Sequence, residues 1–191
     1  ATVSLFILLA CMILLLISSG FVFNHWVIIL VAELGAIIGF LFYNLNPSRM
    51  FMGDTGSQFI GLFVAFFAIR SIWNVPAVVE LPSWSGLLLV LGAFTPAFSD
   101  TLTVVINRLK KGQSPMVGGK DHTTHHLVYK GFSDFKVWQV FLLISALSTL
   151  FTVILGWLIL SKGLYLVSLS IILFFLVVFL LLYKNTISTK S

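Results

Sequence analysis

The sequence predicts an all-α, polytopic membrane protein of about six transmembrane helices, with both termini cytoplasmic. Three observations carry this. Hydrophobic residues make up 59% of the 191 positions and charged residues only 9%, and mean hydropathy is +1.11. A soluble domain of this size has no use for that much apolar surface. The apolar residues fall into six runs, 3–19, 26–43, 55–72, 85–107, 137–160 and 164–183. Each approaches the ~20 residues needed to cross ~30 Å of hydrocarbon, and most are hydrophobic all round, as lipid-embedded helices are. Finally, the loops alternate in charge. Loops 44–54 and 108–136 and the tail from 184 carry Arg49, Arg108, Lys110, Lys111, Lys120, Lys130, Lys136, Lys184 and Lys190. The other loops and their edges carry only Arg70 and Lys162. The excess of Lys and Arg places the first set in the cytoplasm.

Taken in order, the first run starts directly at the N-terminus, on Ala1 rather than Met, with no basic segment or small-residue cleavage site before it. That is not a signal peptide, and the expectation is a piece of a longer protein. Cys11, the single cysteine, lies in this run, so no disulfide framework is expected. The second run opens near Trp26 and carries Glu33. Asn46-Pro47 signals a turn after it. Trp73 and Trp84 flank the next short loop, where indoles anchor at interfaces. The fourth run contains Pro96, which predicts a kink, and Asp100, about 10 Å from the cytoplasmic end at helical rise. No internal repeat or low-complexity linker divides the chain, so residues 1–191 form one transmembrane domain. Its candidate site is built from cytoplasmic loops 44–54 and 108–136.

The stretch "NPSRMFMGDTGSQFIG", residues 46–61, is polar between two apolar runs. Asp54 there has two readings. It is the N-cap of the third span, accepting backbone N–H bonds, or it is a metal ligand beside a phosphate. A helix N-terminus flanked by Gly53 and Gly56 lets backbone N–H groups approach a phosphate, and Mg²⁺ bridges carboxylate to phosphate. Phe51 is either a lipid contact or a surface on which a nucleobase stacks. Spacing alone gives Asn44 and Asn46 no ligand role.

The loop "RLKKGQSPMVGGKDHTTHHLVYKGFSDFK", residues 108–136, suits anionic headgroups through its lysines. That leaves three histidines in five positions unexplained. His122, His125 and His126 have the i, i+3, i+4 spacing that shares a helix face. Zinc is disfavoured, because the glutamate of an H-E-x-x-H motif and any nearby Cys are missing. Imidazoles with Arg108 suit a diphosphate. Asp100 is an ionisable group in a span, functional or paired with a neighbouring helix. Glu33 is a hydrogen-bonded structural group or a proton relay.

"LGAIIGFLFYNLNPSRMFMGDTGSQFIG" and "SDTLTVVINRLKKGQSP" followed by the His loop resemble the polyprenyl-phosphate sugar-1-phosphate transferases. The resemblance runs from about Glu33 to Gly131. It implies transfer of a sugar-1-phosphate, from a UDP-sugar such as a UDP-N-acetylhexosamine, to a membrane polyprenyl phosphate, with release of UMP. The site would face the cytoplasm of the cell membrane and use Mg²⁺. By resemblance, Asp54 is the Mg²⁺ ligand and Phe51 stacks on uracil. Arg108 holds the diphosphate, and His122, His125 and His126 form the His motif. Asn44, Gly53 and Asp121 join Phe51 in substrate binding. The His motif departs from H-x-H-H by one residue, so either His122 or Thr123 fills its first position. The "HHHFE"-like pattern of the muramoyl-pentapeptide enzymes is absent, which favours the N-acetylhexosamine branch. The family's Asp-Asp pair and its "NxxDGxDGLA"-type motif are also absent. Both precede the matched region in the family, so a C-terminal portion, inactive alone, is expected. Lipid is an expected partner, nucleic acid is not, and a homodimer is compatible. The rival reading is a transporter or proton-coupled channel relaying through Glu33, Asp100 and the His loop.

Overall fold

The computed structural model describes residues 1–45, 47–115 and 122–187. Among them there are eight α-helices, joined by short π- and 3₁₀-helical turns, and no strand. The helices are α1 (Thr2–Ser18), α2 (His25–Asn44), α3 (Gly53–Ala68), α4 (Trp84–Ala93), α5 (Thr95–Lys110), α6 (Thr123–Tyr129), α7 (Asp134–Lys162) and α8 (Ser170–Ile187).

α1 is the hub. It buries Ile7, Leu8, Cys11, Leu14 and Leu15, the helical spacing of an interior face, and packs chiefly on α7 and also on α2 and α3. Two details fix the α1–α7 contact. Thr149 donates its hydroxyl to the Phe6 carbonyl at 2.8 Å. Gly156 leaves room for Leu14, whose Cδ2 would lie 2.5 Å from any added Cβ. α2 starts at Asn24, whose side chain accepts from the Trp26 and Val27 N–H groups, a conventional N-cap. Val27, Leu30, Leu34 and Ile37 line its inner face, while Ile28, Val31, Ile38 and Phe42 are exposed outward. An apolar outer face is stable only where the surroundings are themselves apolar.

Four segments are long and apolar enough to cross a membrane: His25–Asn44, Gly53–Val79, Asp134–Lys162 and Tyr165–Thr186. The second continues α3 through a π-helical turn, Ile69–Trp73, and a 3₁₀ turn, Pro76–Val79. The expected first span is the shorter apolar helix α1, of 17 residues. The expected fourth span carries a sharp bend. It is broken at Phe94 into α4 and α5, which meet at 79°. Pro96 lies two residues beyond the bend, so the expected kink is present. The proline sits in the first turn of α5, where a missing N–H costs nothing. Thr95 closes the corner by donating its hydroxyl to the Leu91 carbonyl at 2.9 Å.

α5 buries Thr95, Ser99 and Thr103, a polar stripe at i, i+4 spacing, and also Arg108. It packs on α8 and α7, and α6 rests against α8, α7 and α5. The corner at Phe94 thus carries the chain out of the α4 direction and sets α5 and α6 against α7 and α8.

Candidate active site

Two groups of polar side chains stand out. The first is organised by Asp100 on α5. Its Oδ2 lies 2.8 Å from His122 Nδ1. Its Oδ1 accepts from the Thr123 backbone N–H at 2.8 Å and also from the Thr123 hydroxyl. A carboxylate from one helix thereby caps the first turn of another, since the N-cap of α6, His122, makes no side-chain cap bond of its own. Of the two readings of Asp100, pairing with a neighbouring element is the one the geometry displays.

Arg108 lies two turns further along α5, on the same face as Asp100. It is buried, and its Nη1 donates to the Pro115 carbonyl at 3.0 Å. This bond folds the following turn back onto α5. The three histidines do not share one helix face as expected. His122 precedes α6 and turns to Asp100. His125 lines a cavity of ≈ 410 Å³ with Thr2, Thr124, Asp134 and Trp138. His126 stands edge-on to Tyr129, with ring centroids 6.2 Å apart. The physical reason is local: His122 is the extended N-cap residue of α6, so its ring leaves before the first helical turn.

The second group surrounds the start of α3. Asn44 Nδ2 donates to the Met50 carbonyl at 2.8 Å and to Ser48 Oγ at 3.4 Å. The Arg49 N–H closes on the Tyr43 carbonyl at 2.9 Å. Asn44 is thus the brace of this loop. Gly53 opens α3 at φ +65°, a conformation that side-chain-bearing residues avoid. Asp54 follows in the first turn and is exposed. It is not the N-cap: that position is Met52, with no side-chain cap bond. Its carboxylate faces outward and is held near the positive end of the helix dipole. Phe51 is 84% exposed and lines a groove of ≈ 310 Å³ with Glu33, Phe40, Met50 and Ile60.

The two groups stand on helices with different principal neighbours. α3 packs mainly on α1 and the π-helical turn, whereas α5 packs on α8 and α7. Asp54 and Arg108 are therefore not joined through any principal helix packing. Asn46 and Asp121 lie outside the described residues. Among the described residues, no three His, Cys, Asp or Glu side chains converge as a metal-binding group. Mg²⁺ does not require one: it retains waters and takes one or two carboxylates plus phosphate oxygens. The exposed Asp54 carboxylate fits an ion carried by a diphosphate, not an ion caged by this chain.

Contacts invisible in local spacing hold the His loop from its other side. Lys110 Nζ donates to the Tyr183 hydroxyl, Asn107 Nδ2 to Thr186 Oγ1 at 3.0 Å and Lys130 Nζ to Asn185 Oδ1 at 2.9 Å. The partners are 55–79 positions apart, and no motif connects them. Thr123 was visible in the sequence only as an alternative to His122, not as the residue that docks α6.

The stretch around Asp54, with its left-handed glycine and outward carboxylate, falls within a family match. Residues 1–72 match glycosyl transferase family 4. The chain is also similar to three named relatives. It is 34% identical over 100 residues to a probable undecaprenyl-phosphate N-acetylglucosaminyl 1-phosphate transferase of Bacillus subtilis, covering 52% of this chain and 26% of that protein. It is 32% identical over 126 residues to a phospho-N-acetylmuramoyl-pentapeptide-transferase of Helicobacter hepaticus, covering 65% and 31%. It is 31% identical over 137 residues to a decaprenyl-phosphate N-acetylglucosaminephosphotransferase of Mycolicibacterium smegmatis, covering 65% and 33%. The chain spans about a third or less of the length of these relatives. These matches bear out the resemblance read from the motifs. The family 4 match covers α1 to α3 and stops short of α5 and α6. No solved structure matches the chain.

Proposed function

We propose that this chain is part of a membrane enzyme that moves a sugar-1-phosphate from a UDP-sugar to a polyprenyl phosphate in cell-envelope polysaccharide synthesis. The observation that carries the reading is the outward Asp54 carboxylate in the first turn of α3, inside the segment that matches family 4. The named relatives act on undecaprenyl or decaprenyl phosphate or transfer phospho-N-acetylmuramoyl-pentapeptide. Six spans, a cytoplasmic N-terminus and C-terminus, and a cytoplasmic site in a multi-pass cell-membrane protein complete the proposal. The basic asymmetry of the loops supports that orientation.

In the transfer, an oxygen of the lipid phosphate attacks the β-phosphorus of the UDP-sugar. The new P–O bond joins lipid and sugar phosphates, the bond to the bridging oxygen breaks, and UMP leaves. Such transfers depend on positioning and on countering charge at the phosphates. Arg108 supplies fixed charge-assisted donors to the diphosphate, and the His loop adds imidazoles beside it. Phe51, projecting free of the core, offers a face to the uracil. Asp54 would be the chain's ligand for Mg²⁺, which when bound neutralises phosphate charge.

The test is UMP release by the full-length protein in nanodiscs, supplied with UDP-N-acetylglucosamine and polyprenyl phosphate. Asp54→Asn should lower turnover by about 10²-fold or more without loss of folded protein. Near-normal turnover across Mg²⁺ concentrations would reduce Asp54 to a helix-end charge.

A further inference from the structure

Asp100 is bonded at both carboxylate oxygens to the start of the His loop. One oxygen holds the Thr123 backbone and hydroxyl, and the other meets His122 Nδ1 at 2.8 Å. An ionised carboxylate only accepts, so Nδ1 is the nitrogen that carries the proton. The tautomer of a neutral imidazole is set by the bond its other nitrogen makes. With Nδ1 committed, Nε2 is the free position. The His122 side chain is 52% exposed whereas Asp100 is 20% exposed, so the ring has one end anchored and one end open. Thr123 is buried, which locks the anchor.

We propose that Asp100 is a positioning residue: it docks α6 through Thr123 and fixes His122 as the Nδ1–H tautomer, turning the Nε2 lone pair toward substrate. This rests on the transfer reading above, and it assigns the first place of the His motif to His122 rather than Thr123. Thr123 becomes part of the anchor.

The chemistry supplies a discriminating variant. Asp100→Asn retains an oxygen that accepts from Thr123, so α6 stays docked. Its other atom becomes an amide NH₂, which donates to His122 Nδ1 and drives the proton to Nε2. The same inversion of a carboxylate–imidazole pair cripples catalysis while leaving geometry intact. Long-range ¹H–¹⁵N correlation on histidine-labelled full-length protein in nanodiscs reads the tautomer directly, with His122→Gln assigning the signal. The expected result is Nδ1–H at His122 in the unsubstituted protein, inverted to Nε2–H in Asp100→Asn, with hydrogen-exchange protection of α6 retained. Turnover should fall by about tenfold or more, and Asp100→Asn should have little further effect once His122 is replaced. An Nε2–H signal in the unsubstituted protein overturns the proposal whether or not any variant folds. So does an Asp100→Asn defect that persists undiminished in the His122→Gln background, because the effect then does not pass through the ring. If the unsubstituted protein releases no UMP, the transfer reading fails, while the tautomer measurement still decides Asp100's hold on His122.

Discussion

Gly53 and Asp54 illustrate how little sequence a local device needs. A left-handed residue at the mouth of α3 allows the chain to swing from the Asn44-braced loop into the helix, and Asp54 follows with its carboxylate outward. Gly53→Ala should cost about 1–2 kcal/mol, the penalty of left-handed backbone for a residue with a Cβ. No heavy atom stands in the way of that Cβ, so the loss would be conformational strain alone. A thermal-unfolding comparison with Gly61→Ala, a helical glycine with equally open space, checks this: Gly61→Ala should be neutral or stabilising. Arg108 is the opposite case, a buried cation that also braces backbone through Pro115. Arg108→Lys keeps the charge but loses the planar fork. It should therefore raise KM for UDP-sugar in full-length protein, and recovery of normal KM would mean that charge alone suffices.

At the scale of the element, the corner at Phe94 decides where the candidate site stands. α4 is pressed so closely on the preceding turn that a Cβ at Gly86 would fall 2.0 Å from the Trp73 carbonyl oxygen. Gly86→Ala should then destabilise the protein markedly, by about 1–3 kcal/mol or more, measurable as a drop in unfolding temperature in detergent. Pro96→Ala should do little, because Pro96 occupies a helix start where no hydrogen bond is lost. A spin-label distance across α4 and α5 should stay unchanged in Pro96→Ala. A lengthened distance, toward that of a straight helix, would make the proline the cause of the break. Asp100 belongs to this scale too, since its value lies in coupling α5 to α6.

For the whole molecule, orientation governs everything proposed. Cys11 is buried, so cysteines introduced at exposed positions report without interference. A cysteine at position 113 should react with a membrane-impermeant reagent only from the cytoplasmic side. One at position 77, exposed in the 3₁₀ turn between α3 and α4, should react only from the other side. The reverse pattern would move both loops away from a cytoplasmic substrate and sink the transfer reading. The packing itself follows from small residues and hydroxyls as much as from large side chains. Gly156 admits Leu14, and Ser145, Ser148, Thr149 and Thr152 are all buried on α7, as expected where helices must approach closely in lipid.

Apolar run length and composition determined by themselves that the chain is helical and built of segments fit for a membrane, because an apolar solvent leaves the backbone few other ways to satisfy its hydrogen bonds. The motif around Asp54 was legible for a similar reason: a glycine, an acid and a helix start are neighbours in sequence and interact locally. Sequence also flagged Asp100, Arg108 and the histidines as residues worth explaining, but it could not say which touched which. The size of the turn at Phe94, the separation of the three histidines and the tie from Asp100 to Thr123 were decided only in the tertiary structure. Each depends on helix directions and on contacts between residues 22 or more positions apart, or on a corner set by α4 closing against the turn before it. Periodicity fixes which face of a helix is apolar. It carries no information on the angle at which the next helix leaves, and that angle places α5, α6 and the His loop.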